Sequence, residues 1–173
     1  MEKAGRKIRI TGKGRCNLTN ARPPEEFKEA IRTNAEFFEI AFAEFNNKAT
    51  IRFFERIGVK LDIERGQRVF PKSGKAWDIA NALTDYCLDN GVEIVYNSRV
   101  SEILTIDNKV YGVNFVNKRG FERKVEAENV IIATGGVSYP GTGSTGDGYI
   151  FADRTGHKIE EVRPSLTPLR TSH

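Results

Sequence analysis

Residues 130–149, VIIATGGVSYPGTGSTGDGY, constrain this chain more than any other part of it. A short apolar run, 130–133, feeds straight into a stretch with six glycines, after which the pattern predicts a helix over 149–155. An apolar run bounded by glycines has the character of a parallel strand covered on both faces. Glycines lack Cβ atoms, so they reach positive φ and let successive N–H groups converge, and a following helix N-terminus adds partial positive charge. Phosphate or pyrophosphate is the chemistry that such a loop fits. A purely structural turn, with Asp147 capping the helix, is the alternative.

Gly141, Gly143 and Gly146 satisfy G-x-G-x-x-G in form, which is the dinucleotide fingerprint only where it follows directly on a strand. Here the predicted strand ends near Ala133 and Pro140 intervenes. Glu160 and Glu161 also come too early for the acidic residue expected about 20 positions on. The Rossmann fingerprint is rejected at this place.

A second constellation, residues 5–20 (GRKIRITGKGRCNLTN), crowds Arg6, Lys7, Lys13 and Arg15 among three glycines before Asn17, Thr19 and Asn20. Arginine offers paired planar donors to phosphate, lysine a point charge, and Asn and Thr can satisfy ring or ribityl polar atoms. A solvated basic hairpin or turn is the bland reading of the same composition. Cys16 fits either a redox thiol, its thiolate favoured by Lys13 and Arg15, or simple small-residue packing.

Between these segments the spacing predicts a helix near 24–46 through Phe27, Ala30, Ile31, Phe38, Ala41, Phe42 and Phe45. A shorter helix carrying Ile51, Phe54 and Ile57 should stop at Gly58, the two forming a helical hairpin. Alternation over 59–64 and the Arg65-Gly66 turn predict a small β-hairpin. A helix from Ser73 turns Ala76, Ile79, Ala80, Leu83, Tyr86 and Cys87 inward and ends at Gly91, and VEIVY (92–96) reads as a buried strand. Stretches near 100–106, 109–116 and 121–125, separated by turn sequences, suggest a β-meander. Trp77 and the phenylalanines, at helical spacing, are expected in the core. His157 and His173 have no Ser, Cys or acid at motif spacing.

At 173 residues, 39% hydrophobic and 29% charged, the chain suits one compact domain of an ordinary globular kind. Its expected parts are a mainly helical segment (21–90), strands and meander (92–135), and the glycine loop with its helix (135–173). No apolar run approaches the roughly 20 residues that span a bilayer, so no membrane association and a cytoplasmic location are expected. Two separated cysteines argue for reduced thiols and against structural zinc. The net charge of +4 allows an anionic partner, and phosphate suits its distribution better than a long polynucleotide.

The two glycine-rich segments together resemble the bacterial NAD(P)/FAD-dependent, aminoacetone-oxidase-like flavoproteins. GRKIRITGKGRCNLTN, GQRVFPKSGKAWDI and ATGGVSYPGTGSTGDGYIFADRTGH carry the resemblance, with RPSLTPL at 163–169, over essentially the whole chain. The resemblance implies an α/β fold: a partial FAD/NAD(P)-binding domain of the two-dinucleotide-binding type, with a helical segment, a β-meander and remnants of a central parallel sheet. Thr134, Gly135 and Gly136 would be delivered to the flavin nucleotide, with Thr145 and Gly146 completing the loop side. Arg6, Lys7, Arg15, Cys16 and Asn17 would lie near the flavin, and Val100 where backbone meets adenine. FAD is the implied cofactor and NAD(P)H a possible electron donor.

The family's opening strand, GxGxxG turn and helix do not stand ahead of Met1 in this sequence, and its later β-rich domain does not follow. The chain is therefore expected to be an internal piece of a flavoprotein, inactive or weak alone, completed by the remaining segments and self-associating through an exposed sheet edge. The rival class is a non-redox module that binds a nucleotide, another phosphate ligand or RNA.

Overall fold

The structure, a computed structural model, describes residues 2–163. The chain divides into two compact units between Tyr96 and Asn97, and among the described residues it combines six α-helices with two three-stranded antiparallel sheets.

In the first unit the basic segment is a helix rather than a hairpin. Helix α1 (Arg6–Gly14) loses helical geometry at Thr11, Gly12 and Lys13, the last two at φ 58°. Gly12 is needed there, because a Cβ on it would lie 2.9 Å from the Asn17 nitrogen and 3.4 Å from the Phe70 ring. The chain then enters β1 (Thr19–Asn20), which pairs with β3 (Arg68–Pro71), itself paired with β2 (Leu61–Glu64). The predicted β-hairpin is thus present and gains a third strand from the basic segment.

The helix expected over 24–46 is two, α2 (Glu25–Ala30) and α3 (Ala35–Glu44). Ile31 is extended and Asn34 left-handed, and the break lets Phe27 fold back onto Phe42, ring centroids 4.8 Å apart. Helix α4 (Asn47–Arg56) is capped by the Asn46 side chain accepting from the Ala49 N–H. It ends as predicted: the N–H groups of Gly58 and Val59 return to the carbonyls of Glu55 and Phe54, closing the last turn with Gly58 at φ +89°. Helix α5 (Ala76–Asp89) ends in the same way through Gly91 and Val92.

The core of this unit gathers Cys16, Phe54, Val59, Ala76 and Ile79. Ile79 is 1% exposed, a burial that contributes on the order of 2 kcal/mol. Trp77 departs from its expected core position: it is 47% exposed, with the Arg9 guanidinium 4.0 Å and the Lys3 ammonium 4.8 Å from its ring centroid. Tyr86 is exposed as well, although its ring meets Phe53 edge-on at 5.3 Å.

The second unit opens with the predicted meander, β4 (Arg99–Ile106), β5 (Lys109–Val116) and β6 (Glu122–Glu126), in spatial order β4-β5-β6. Asp107 and Asn108 both take positive φ, 47° and 60°, as a two-residue hairpin turn requires. The Asn117 carboxamide oxygen accepts from the N–H groups of Arg119 and Phe121 and shapes the second turn. A 3₁₀ turn (Pro140–Thr142) and helix α6 (Asp147–Arg154) follow. Gly156 and His157 close α6 by donating to Asp153 and Ala152.

Two strand expectations do not hold in the described residues. Segments 92–96 and 129–133 carry no ladder, and no described strand pairs in parallel. A strand exists only where a neighbour accepts from its N–H groups and donates to its C=O groups, and none is offered among the described residues. Ile131 is accordingly 90% exposed. Most of RPSLTPL, together with His173, lies outside the described residues. Among the described residues no helix is long and apolar enough to cross a membrane.

Candidate functional site

The candidate residues fall into two groups, one in each unit. In the second unit, Thr134 and Gly135 are exposed and Gly136 is half-buried. The backbone N–H groups of Gly135, Gly136 and Val137 donate to no acceptor among the described residues. The Gly146 N–H donates to the Gly136 carbonyl at 3.2 Å, so the two ends of the loop meet. Gly135 sits at φ +75°, and a Cβ there would lie 2.8 Å from the Ser144 hydroxyl oxygen. On Gly136 a Cβ would come 3.3 Å from the Tyr149 hydroxyl. Buried Ser144, 3% exposed, and exposed Tyr149 thus pack against the glycine pair. The only sequence signal for either was membership of the glycine-rich run.

The N-terminus of α6 is occupied from within the chain. Asp147 is its first residue rather than its cap, and the cap, Gly146, has no side chain to offer. The Asp147 carboxylate accepts from the Thr145 hydroxyl at 3.1 Å and from the Arg99 guanidinium at 3.3 Å. A carboxylate there complements the helix dipole itself and repels an incoming phosphate. The groups open to a ligand are therefore the unpaired N–H groups of Gly135, Gly136 and Val137. Val100 lies apart from that run in the sequence, on β4 opposite Phe115, and lines a cleft of about 310 Å³ with Asp147 and Phe151.

In the first unit Arg6, Lys7 and Asn17 are exposed. Neither Arg6 nor Asn17 has a partner among the described residues, whereas Lys7 has one. Arg15 is committed elsewhere: Glu64 on β2 takes its guanidinium in a two-point ion pair, one bond at 3.3 Å and a shorter second one. The group also lies 4.3 Å from the Phe70 ring centroid. Glu64 raises the Arg15 pKa and Arg15 holds the Glu64 carboxyl below its ordinary value, in each case chiefly through their hydrogen bond. The sequence carried no signal for this pair, whose members are 49 residues apart.

Cys16 is not the activated thiol that its basic neighbours suggested. It is 4% exposed in the core, and burial pushes its pKa up, because desolvation disfavours thiolate. Among the described residues no group of His, Cys, Asp and Glu is arranged to hold a metal ion.

An FAD-type ligand passes the chemical test of these surroundings. In the second unit the N–H groups of Gly135 and Gly136 are without an acceptor among the described residues and suit an anion, and in the first unit Arg6 and Asn17 are an exposed cation and amide without a partner among those residues.

A mixed α/β frame consistent with a partial dinucleotide-binding fold defines the class, and comparison with known proteins supplies the family. Residues 1–164 match the HI0933-like protein Rossmann domain. The chain belongs to that family, which is of the FAD-binding oxidoreductase type. It is 34% identical over 170 residues to a ribosomal RNA dihydrouridine synthase of Haemophilus influenzae, covering 96% of this chain and 40% of that protein. It is 31% identical over 169 residues to a 3-dehydro-bile acid delta(4,6)-reductase of Clostridium scindens, covering 98% and 39%. A ribosomal RNA dihydrouridine synthase of Escherichia coli is 30% identical over 167 residues, covering 96% and 40%. The chain spans about two fifths of the length of these relatives.

Proposed function

We propose that this chain is part of an FAD-dependent reductase that adds hydrogen across an activated carbon–carbon double bond, with a nicotinamide cofactor as electron donor. The aminoacetone-oxidase-like assignment belongs to the same reading and rests on the quoted motifs. The observation that carries it is the open run 134–136, where adjacent glycines leave their N–H groups unpaired, on a chain of this family. The relatives' names support the reaction class. Dihydrouridine is uridine with hydrogen added to its ring double bond, and the bile-acid protein is named a reductase.

FAD, when bound, supplies the hydride. Within the second unit the unpaired N–H groups of Gly135 and Gly136 would donate to the cofactor, and within the first unit Arg6 and Asn17 would offer charge and amide donors to an anion. Arg15, paired with Glu64, ties the basic segment to strand β2. Completion by further segments of the same flavoprotein, and self-association through the exposed 129–133 run, form part of this proposal.

The test is the visible spectrum of the protein expressed from its whole reading frame and passed through gel filtration with FAD. A retained flavin band that Gly136→Val abolishes, without loss of fold by circular dichroism, supports the reading. Unchanged flavin occupancy in that variant overturns the site. Steeply salt-dependent RNA binding with no flavin retained would favour the non-redox module.

A further inference from the structure

One face of the first unit carries opposite charges that no partner neutralises. A cleft of about 1020 Å³ runs between α5 and the segment joining α4 to the β-hairpin. Its floor is apolar, formed by Ile57, Val59 and Ala82. Along one bank stand Arg56, Lys60 and Lys72, all exposed and none in an ion pair among the described residues. Along the other, α5 presents Asp78, Asp85 and Asp89, equally exposed and unpaired. These aspartates are spaced by seven and four, which places them on one helical face.

The acidic bank is reinforced at its far end. Helix α5 has no basic residue in its last turn, so Asp89 adds its charge to the partial negative charge of the helix C-terminus. Tyr86 meets Phe53 of α4 at that end, 5.3 Å between ring centroids, and keeps the banks in register. At about 1020 Å³ the cleft stands at the upper end of the roughly 300 to 1,000 Å³ that small-ligand sites occupy, so it is the charge pattern of its banks that selects the occupant. An open trough with an apolar floor and banks of opposite sign matches a helix carrying an apolar stripe between an acidic and a basic edge.

We propose that this cleft docks an amphipathic helix of a partner protein, its basic edge against Asp78, Asp85 and Asp89 and its acidic edge against Arg56, Lys60 and Lys72. Charge complementarity fixes both the direction and the register of the bound helix. Neither bank includes a residue assigned above to the flavin, so the surface is separable from the proposed chemistry.

The probe is a synthetic amphipathic helical peptide with a leucine stripe, glutamates on one edge and lysines on the other, titrated by fluorescence anisotropy against the protein expressed from its whole reading frame. Binding in the micromolar range is expected, weakened about tenfold by raised salt. The exposed double variant Asp85→Lys/Asp89→Lys should lose binding, and a peptide with the facing lysines changed to glutamate should restore it. Equal binding of a scrambled peptide, failure of the charge-swapped peptide to rescue, absence of binding, or a concentration-dependent dimer that occupies the cleft would each overturn the proposal.

Discussion

Glu64 grips the guanidinium of Arg15 through both carboxylate oxygens, tying the basic segment to strand β2. The side chains are 43% and 34% exposed, so the pair contributes modestly and is sensitive to salt. Because Arg15 holds the Glu64 pKa below its ordinary 4.5, the contribution is fully present above that value. It is lost as pH falls through the lowered one. Chemical denaturation of the protein and of Glu64→Gln should give a stability difference that is constant above the ordinary carboxylate pKa of 4.5 and shrinks as pH falls below it. A difference independent of pH would show that the pair does not form.

Asn47 is 1% exposed and donates both amide hydrogens to backbone carbonyls, those of Asn20 at 2.7 Å and Arg22 at 2.8 Å. Its own oxygen is buried without a partner. Asn47→Ala strands two carbonyls and should cost about 2 kcal/mol in urea unfolding. Asn47→Asp, which offers carbonyls no donor when ionised, should cost more near neutral pH.

Gly135→Ala should be destabilising through two separable causes. The left-handed backbone costs about 1–2 kcal/mol for a residue with a Cβ, and the new methyl would meet the Ser144 hydroxyl at 2.8 Å. Removing that hydroxyl with Ser144→Ala should recover the second part and leave the first, so the double variant is expected to be non-additive. Gly141→Ala, which opens onto free space, should change the melting temperature little.

Thiol labelling distinguishes packing from reactivity at Cys16. Buried, with its pKa raised by desolvation, it should react with a thiol reagent only on unfolding, whereas half-buried Cys87 should react in the native protein. Fast native labelling of Cys16, with a rate that titrates below its ordinary pKa, would reinstate the thiolate reading.

Much of the local structure was legible. Gly58 and Gly91 mark helix ends because the returning N–H groups need a left-handed residue just there, and Asp107-Asn108 mark a tight hairpin for the same reason. The break at 31–34 was not legible, since Ile31 continues the helical spacing. It is decided by Phe27 packing back onto Phe42. The glycines of the loop, and Arg6 and Asn17 of the basic segment, were singled out from composition and motif. Ser144, Tyr149 and Glu64 were missed, because nothing local distinguishes a supporting hydroxyl or an ion-pair partner many residues away.

The sequence by itself determined what is settled within a few residues: helix stops, hairpin turns, the meander and a run of backbone stripped of side chains. Only the tertiary structure decided that Arg15 is committed to Glu64, that Cys16 is buried and protonated, that Asp147 fills its own helix terminus, and that 92–96 and 129–133 have no ladder. The reason is physical: turn and cap geometry depends on neighbouring dihedral angles, whereas ion pairing, desolvation and strand pairing depend on which distant groups the folded chain brings alongside.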